Sequence, residues 1–202
     1  MFIEVRGVDF VNKGAELMLL AVHERLKQTG LDVEIVLETG ANSPYKSRCR
    51  LLAYQKASLF NSWMDSNRLS YFLPVRLRRM LRDKFGLITE ADIDVVLDAS
   101  GFAYGDQWKS RNIERMTACI RRMRRRGRRY IFLPQAFGPF TRSADRALLA
   151  QALPDAALIC AREEASRAHL ADLGISMANV QMFPVMDRED LQKGLGQLRG
   201  GA

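Results

Sequence analysis

With 202 residues, 48% of them apolar and 27% charged, the chain can bury one substantial core but is short for two full domains. That mixture excludes a wholly disordered or fibrous chain, and no apolar run approaches the roughly 20 residues of a bilayer span. The formal charge of +8 admits phosphate, nucleic acid or a membrane surface as partner. Much of it, however, lies in two runs, 76–82 and 121–129, and the second falls where a helix should end. Cations there complement the helix dipole and coat a solvated face, so nucleic acid is not expected as a partner.

In chain order, residues 2–6 read as a first strand, since Glu4 and Arg6 interrupt what would have to be the apolar core of a signal peptide. Ala15, Met18, Leu19, Val22 and Leu26 recur at helical spacing between a cap at Asn12 and a stop at Gly30. A second strand at 33–37 completes a βαβ unit. Residues 39–92 break the rhythm: Asn42, Ser43 and Pro44 open a loop, 51–60 has a helical look, and Pro74 precedes a basic helix over 75–84. They are expected to form an irregular helical insertion over the strand ends.

Apolar runs at 93–98, 130–133, 157–160 and 180–183 then alternate with helical segments. The first of these carries Ile113, Met116, Ile120 and Met123 before Gly127. The second carries Leu148, Leu149 and Leu153 before Pro154, and the third Leu170 and Leu173 before Gly174. Apolar strands alternating with amphipathic helices predict an α/β domain, a Rossmann-like, doubly wound parallel sheet over 1–187, followed by a polar tail at 188–202. Cys49, Cys119 and Cys160 are odd in number and far apart, so neither a disulfide framework nor a metal site is expected. His23 and His169 fall within predicted helices as surface or packing residues. The chain is expected in the cytoplasm.

Ligands of open parallel sheets gather at the carboxyl ends of the strands, which directs attention to four loops. In the first, Asn12, Lys13 and Gly14 open a helix, either as an anion site or as a capped turn with an exposed lysine. In the second, Gly101, Tyr104 and Asp106 offer backbone access, an aromatic face and a carboxylate, unless Asp106 only caps the next helix. The third carries Gln135 and Gly138, whose backbone is expected in a conformation that a β-branched residue resists. In the fourth, Arg162 stands against a helix start, where it needs an anion, either Glu163 or Glu164 or a bound ligand.

The order and spacing of these loops resemble the polysaccharide pyruvyl transferase family from Gly7 to about Asp187. The matches are Asn12 and Gly14, the stretch 99–101 where the family has a glycine run, Gln135 with Gly138 and Pro139, and Arg162 and Glu163 followed by Ser166. The resemblance implies one lobe of a two-lobed, GT-B-type architecture with its active site between the lobes. It implies phosphoenolpyruvate as donor, a sugar or glycan hydroxyl as acceptor, a place in exopolysaccharide synthesis, and no cofactor. Arg162, Lys13, Asn12 and Gly14 would bind the donor anion, while Gly101, Tyr104, Asp106, Gln135 and Gly138 would line the cleft. The family's second lobe, which supplies a histidine, has no counterpart after Asp187, so a further lobe or a homo-oligomer partner would complete the cleft. No catalytic residue is assigned. A non-catalytic module that binds a sugar or a partner, and a nucleotide-sugar glycosyltransferase lobe, are the alternatives.

Overall fold

The structure is a computed structural model describing residues 1–57, 60–61 and 64–183. The 188–202 tail lies outside the described residues. In β1 (Phe2–Arg6), Ile3 and Val5 alternate with Glu4 and Arg6, so the strand turns an aliphatic side to one face of the sheet and a charged side to the other. Helix α1 (Lys13–Gln28) starts where expected: the Asn12 side chain accepts from the amides of Gly14 and Ala15, taking two of the donors that every helix start leaves open. Gly30 follows it at φ +67°. Then come β2 (Glu34–Leu37), α2 (Tyr45–Arg50), β3 (Tyr54–Lys56), the short antiparallel pair β4 (Phe60–Asn61) and β5 (Met64–Asp65), a 3₁₀ stretch Ser66–Phe72, α3 (Val75–Phe85) and β6 (Leu87–Ile88). A 3₁₀ turn Glu90–Asp92 leads into β7 (Val95–Asp98). From there the alternation is regular: α4 (Ser110–Arg125), β8 (Arg129–Gln135), α5 (Ser143–Ala152), β9 (Leu158–Ala161), α6 (Glu164–Ala171) and β10 (Val180–Met182).

Eight of the strands form one parallel sheet in the order β10-β9-β8-β7-β1-β2-β3-β6. The chain starts in the middle, winds outward through β2, β3 and β6, returns beside β1 at β7, and winds outward the other way. The two cores lie on opposite faces. One gathers Val5, Ile35, Leu37 and Leu19 of α1; the other gathers Val36, Val96, Phe132 and the buried row Ile113, Met116, Ile120 and Met123 of α4. The predicted α/β, Rossmann-like sheet is therefore what forms.

The segment 39–92 differs from expectation. Residues 54–56, inside the stretch with a helical look, are a strand, and together with β6 they extend the sheet by two positions. Strands of three and two residues are too short to display a period, and an apolar stretch covered on both sides cannot be told from a helix by spacing alone. The basic helix after Pro74 forms as expected.

Leu19 is the one fully buried side chain of α1, whereas Leu17 on the same helix is largely exposed. Leu19→Ala is expected to cost about 3 kcal/mol and Leu17→Ala no more than about 0.5 kcal/mol, both read from denaturant midpoints. Equal costs would show that α1 does not dock through Leu19.

Candidate functional site

The reversal of winding between β1 and β7 is a topological switch point, where the two following loops diverge and leave a crevice at the carboxyl ends of the strands. The structure has a cavity of about 380 Å³ there, lined among others by Arg6 and Gly7 after β1, Glu38 and Thr39 after β2, Lys56 of β3 and Ser100 after β7. Gly7 sits at φ +73°, and a Cβ on it would fall 2.1 Å from the Ser100 hydroxyl, so only glycine lets the two strand ends come together. From above, α4 contributes Asn112, Arg115 and Cys119. Hydroxyls, amides and charges of both signs around a concave surface suit a polyhydroxylated ligand.

The floor beneath the cavity is ionic. Glu4 is fully buried, and one of its carboxylate oxygens accepts from Arg6 Nε at 2.9 Å and from Lys56 Nζ at 2.7 Å. Lys56 also reaches Glu38 at 3.3 Å. Burial alone would raise the Glu4 pKa, but the charges of Arg6 and Lys56 and their hydrogen bonds outweigh it and bring the carboxyl from its usual 4.5 to about 2. Lys56, for which burial favours the neutral form, is pushed the other way by Glu4 and stays charged. Beside this group Asp98, also fully buried, accepts from the hydroxyls of Tyr104, Tyr130 and Ser100. Burial and the Asp98 charge push both tyrosine hydroxyls well up, so they remain neutral donors. Burial likewise raises the Cys119 thiol to about 11, which leaves it unreactive.

Of the residues expected from sequence, Tyr104 lies on this cavity. Gly101, Asp106, Gln135, Gly138 and Arg162 lie along one continuous wall built by the second, third and fourth loops. Ala136 donates to the Gly101 carbonyl, Gly138 to the Tyr104 carbonyl, Asp106 to the Pro139 carbonyl, and Arg162 to the Gln135 carbonyl. The Ser166 hydroxyl joins the third loop to the fourth, accepting from the Phe137 amide and donating to Glu163. Gly138 takes φ +83°, and a Cβ there would meet His169 at 2.7 Å, in keeping with the conformation expected of it. Asp106 does not cap α4, whose preceding residue is Lys109; it accepts from the Thr141 amide instead.

Two side chains on this wall have unused hydrogen-bonding capacity. Gln135 is fully buried, and neither atom of its amide has a partner among the described residues. Arg162 is about a third exposed; its approach to Glu163 is 3.6 Å, too long for a hydrogen bond. Asn12, Lys13 and Gly14 are not brought to this wall by any contact among the described residues. Asn12 occupies the helix amides itself, Lys13 pairs with Glu16, and Phe10 of the same loop binds the Asn42 carbonyl after β2. Sequence reasoning missed Glu4, Arg6, Lys56, Glu38 and Asp98 as a group. The available signal was the charged side of β1, since a strand covered on both faces has no solvent side for Glu4 to occupy.

A family model for polysaccharide pyruvyl transferase matches residues 12–184, which takes in all four loops. The chain belongs to that family. No curated protein matches it. Among the described residues no group of histidine, cysteine and carboxylate side chains is placed to hold a metal ion, and no helix is long and apolar enough to cross a membrane.

Two outcomes check this geometry. Gly138→Val is expected to cost roughly 1 to 3 kcal/mol from backbone strain and the collision with His169, seen as a lowered Tm. Glu4 has a depressed pKa in the folded state, so its contribution is complete above its usual pKa and is lost as the pH falls through the folded value. Glu4→Gln is accordingly expected to be less stable than the parent by about 3 kcal/mol at pH 7, and the difference should shrink as the pH drops from about 4.5 towards 2. A difference that does not change with pH would contradict the assignment.

Proposed function

We propose that the chain takes part in transferring pyruvate from phosphoenolpyruvate to a sugar hydroxyl of a polysaccharide or its precursor. A sugar oxygen adds to C2 of the enol ester and the terminal carbon takes a proton. A second sugar hydroxyl then displaces phosphate and closes the ketal, so the products are a pyruvylated sugar and inorganic phosphate. In this reading the sheet is one lobe of a two-lobed, GT-B-type arrangement, and a further lobe or a second copy closes the cleft from above. The switch-point cavity takes the acceptor sugar, and the wall of the third and fourth loops takes the donor.

The observation that carries the reading is Arg162. Arg162 stands between the end of β9 and the first turn of α6, an unfavourable place for a cation that a bound dianion would relieve, while Glu163 is too far away to do so fully. A planar fork of donors suits both the carboxylate and the phosphate of phosphoenolpyruvate. The unpartnered amide of Gln135, beside the backbone bond that ties Arg162 to its strand, offers a further donor to an anion there.

Arg162→Ala is expected to leave Tm unchanged, because its ion pair is long and partly exposed. The same change should weaken phosphoenolpyruvate binding about tenfold or more, as losing a charge-assisted pair costs about 1.5 to 3 kcal/mol. Calorimetric titration of both proteins, alone and with a second lobe supplied, reads the difference. Equal affinities would remove Arg162 from the donor site and the reading with it.

A further inference from the structure

The two basic runs lie far apart in sequence, but the fold joins them at the Glu90–Asp92 turn. Arg122 of α4 grips Glu90, Arg78 of α3 pairs with Asp92, and Arg128 donates to the carbonyls of Ala91 and Ile93. Tyr71, at the end of the 3₁₀ stretch, donates to Glu90 and carries the Arg126 guanidinium 4.5 Å from its ring centre. The acids of this turn therefore hold the inner arginines. The outer cations are a different set: Arg76, Arg79, Lys84, Arg125 and Arg129 are all exposed and make no ion pair among the described residues.

Apolar side chains stand among them. Phe72 is 83% exposed, and Leu69, Val75, Leu77 and Met80 are exposed as well, while α3 has no fully buried residue. At about 100° per residue, Arg76, Leu77, Arg79, Met80 and Lys84 share the half of α3 opposite Arg78, with Asp83 among them. One exposed leucine is ordinary on a protein surface, but a short stretch with a phenylalanine and four aliphatic side chains in water is not.

We propose that α3 and the 3₁₀ stretch before it dock on the surface of a membrane containing anionic phospholipid. Phe72, Leu69 and Val75 enter the headgroup boundary, Leu77 and Met80 lie along it, and the unpaired cations reach the lipid phosphates. Charge complementarity picks the occupant, because cations outnumber acids on this surface: Asp83, the one acid of α3, is already paired with Arg82. The apolar members separate a bilayer from nucleic acid, since aliphatic side chains gain nothing beside a phosphate backbone, whereas a headgroup region has hydrocarbon beneath it. Asn67, Glu90 and Arg122 border both this surface and the switch-point cavity, so docking would bring the cavity close to the lipid plane. The proposal stands on the surface alone and does not depend on which reaction the cavity serves.

The test is co-sedimentation of the chain with vesicles of phosphatidylcholine, with and without phosphatidylglycerol. Three proteins are compared: the parent, Arg76→Glu combined with Arg79→Glu, and Phe72→Ser. All the changed residues are exposed, and thermal melting confirms that the variants fold. The parent should bind the anionic vesicles and not the neutral ones, with affinity falling as salt is added. Charge reversal should weaken binding at least about tenfold, and Phe72→Ser severalfold at unchanged charge. The proposal is overturned if the parent ignores anionic vesicles, if Phe72→Ser binds them like the parent, or if a single-stranded oligonucleotide at the same salt binds more tightly than the vesicles.

Discussion

A carboxylate with no access to water sets the geometry of this molecule. Glu4 lies in the central strand, level with Val36 on β2, and Val36 is in turn level with Tyr54 on β3. To reach Glu4, Lys56 must pass over β2, a span of roughly two strand spacings that only a long side chain can make. On the way its ammonium also meets Glu38, directly after β2. The attraction between buried charges does little more than offset the cost of stripping their water, so the trio of Glu4, Arg6 and Lys56 is better understood as specifying position than as adding stability. It ties the outer strand β3 to the centre of the sheet, and it holds Arg6 and Lys56 at the floor of the cavity with their charges compensated from below.

The rest of the site follows from where that floor lies. Gly7 allows the end of β1 to touch Ser100, which closes the crevice on one side, and Asp98 is occupied by three neutral hydroxyls rather than by a cation. Arg6 is thereby left to Glu4. On the other side, the loops after β7, β8 and β9 bind one another through backbone amides and carbonyls, so Gln135, Gly138 and Arg162 are placed by main-chain bonds and not by their own side-chain contacts. This leaves the Gln135 amide and the Arg162 guanidinium with unused donors on a wall braced by main-chain bonds.

Much of the fold could be read from the chain. The cap at Asn12, the glycine stops at Gly30, Gly127 and Gly174, and the row of apolar residues on α4 are local signals whose physics does not depend on distant partners. The segment 39–92 was less legible because β3 and β6 exist only as neighbours of β2; two or three residues carry no period of their own. The site divided the same way. Gln135, Gly138 and Arg162 stand next to loop signals, and the family pattern runs through them. Lys56 looked like one lysine in an irregular stretch, and nothing local says that it crosses a strand to meet Glu4, 52 residues earlier. Asn12, Lys13 and Gly14 carried the opposite risk, because the features that suggest an anion site at a helix start also describe a helix that caps itself.

If, as we propose, one crevice runs across the carboxyl ends of β1, β7, β8 and β9 and takes sugar at the switch point and the donor anion on the adjoining wall, the two ligands should reach different residues. Backbone amide resonances of the isotopically labelled chain, followed during separate additions of phosphoenolpyruvate and of a sugar acceptor, test it most directly. Phosphoenolpyruvate should move the signals of Ala136, Phe137, Arg162 and Ser166, while the sugar should move those of Gly7, Thr39 and Ser100. Shifts confined to the start of α1, at Lys13 to Glu16, or no shift at either set with either ligand, would contradict the proposal.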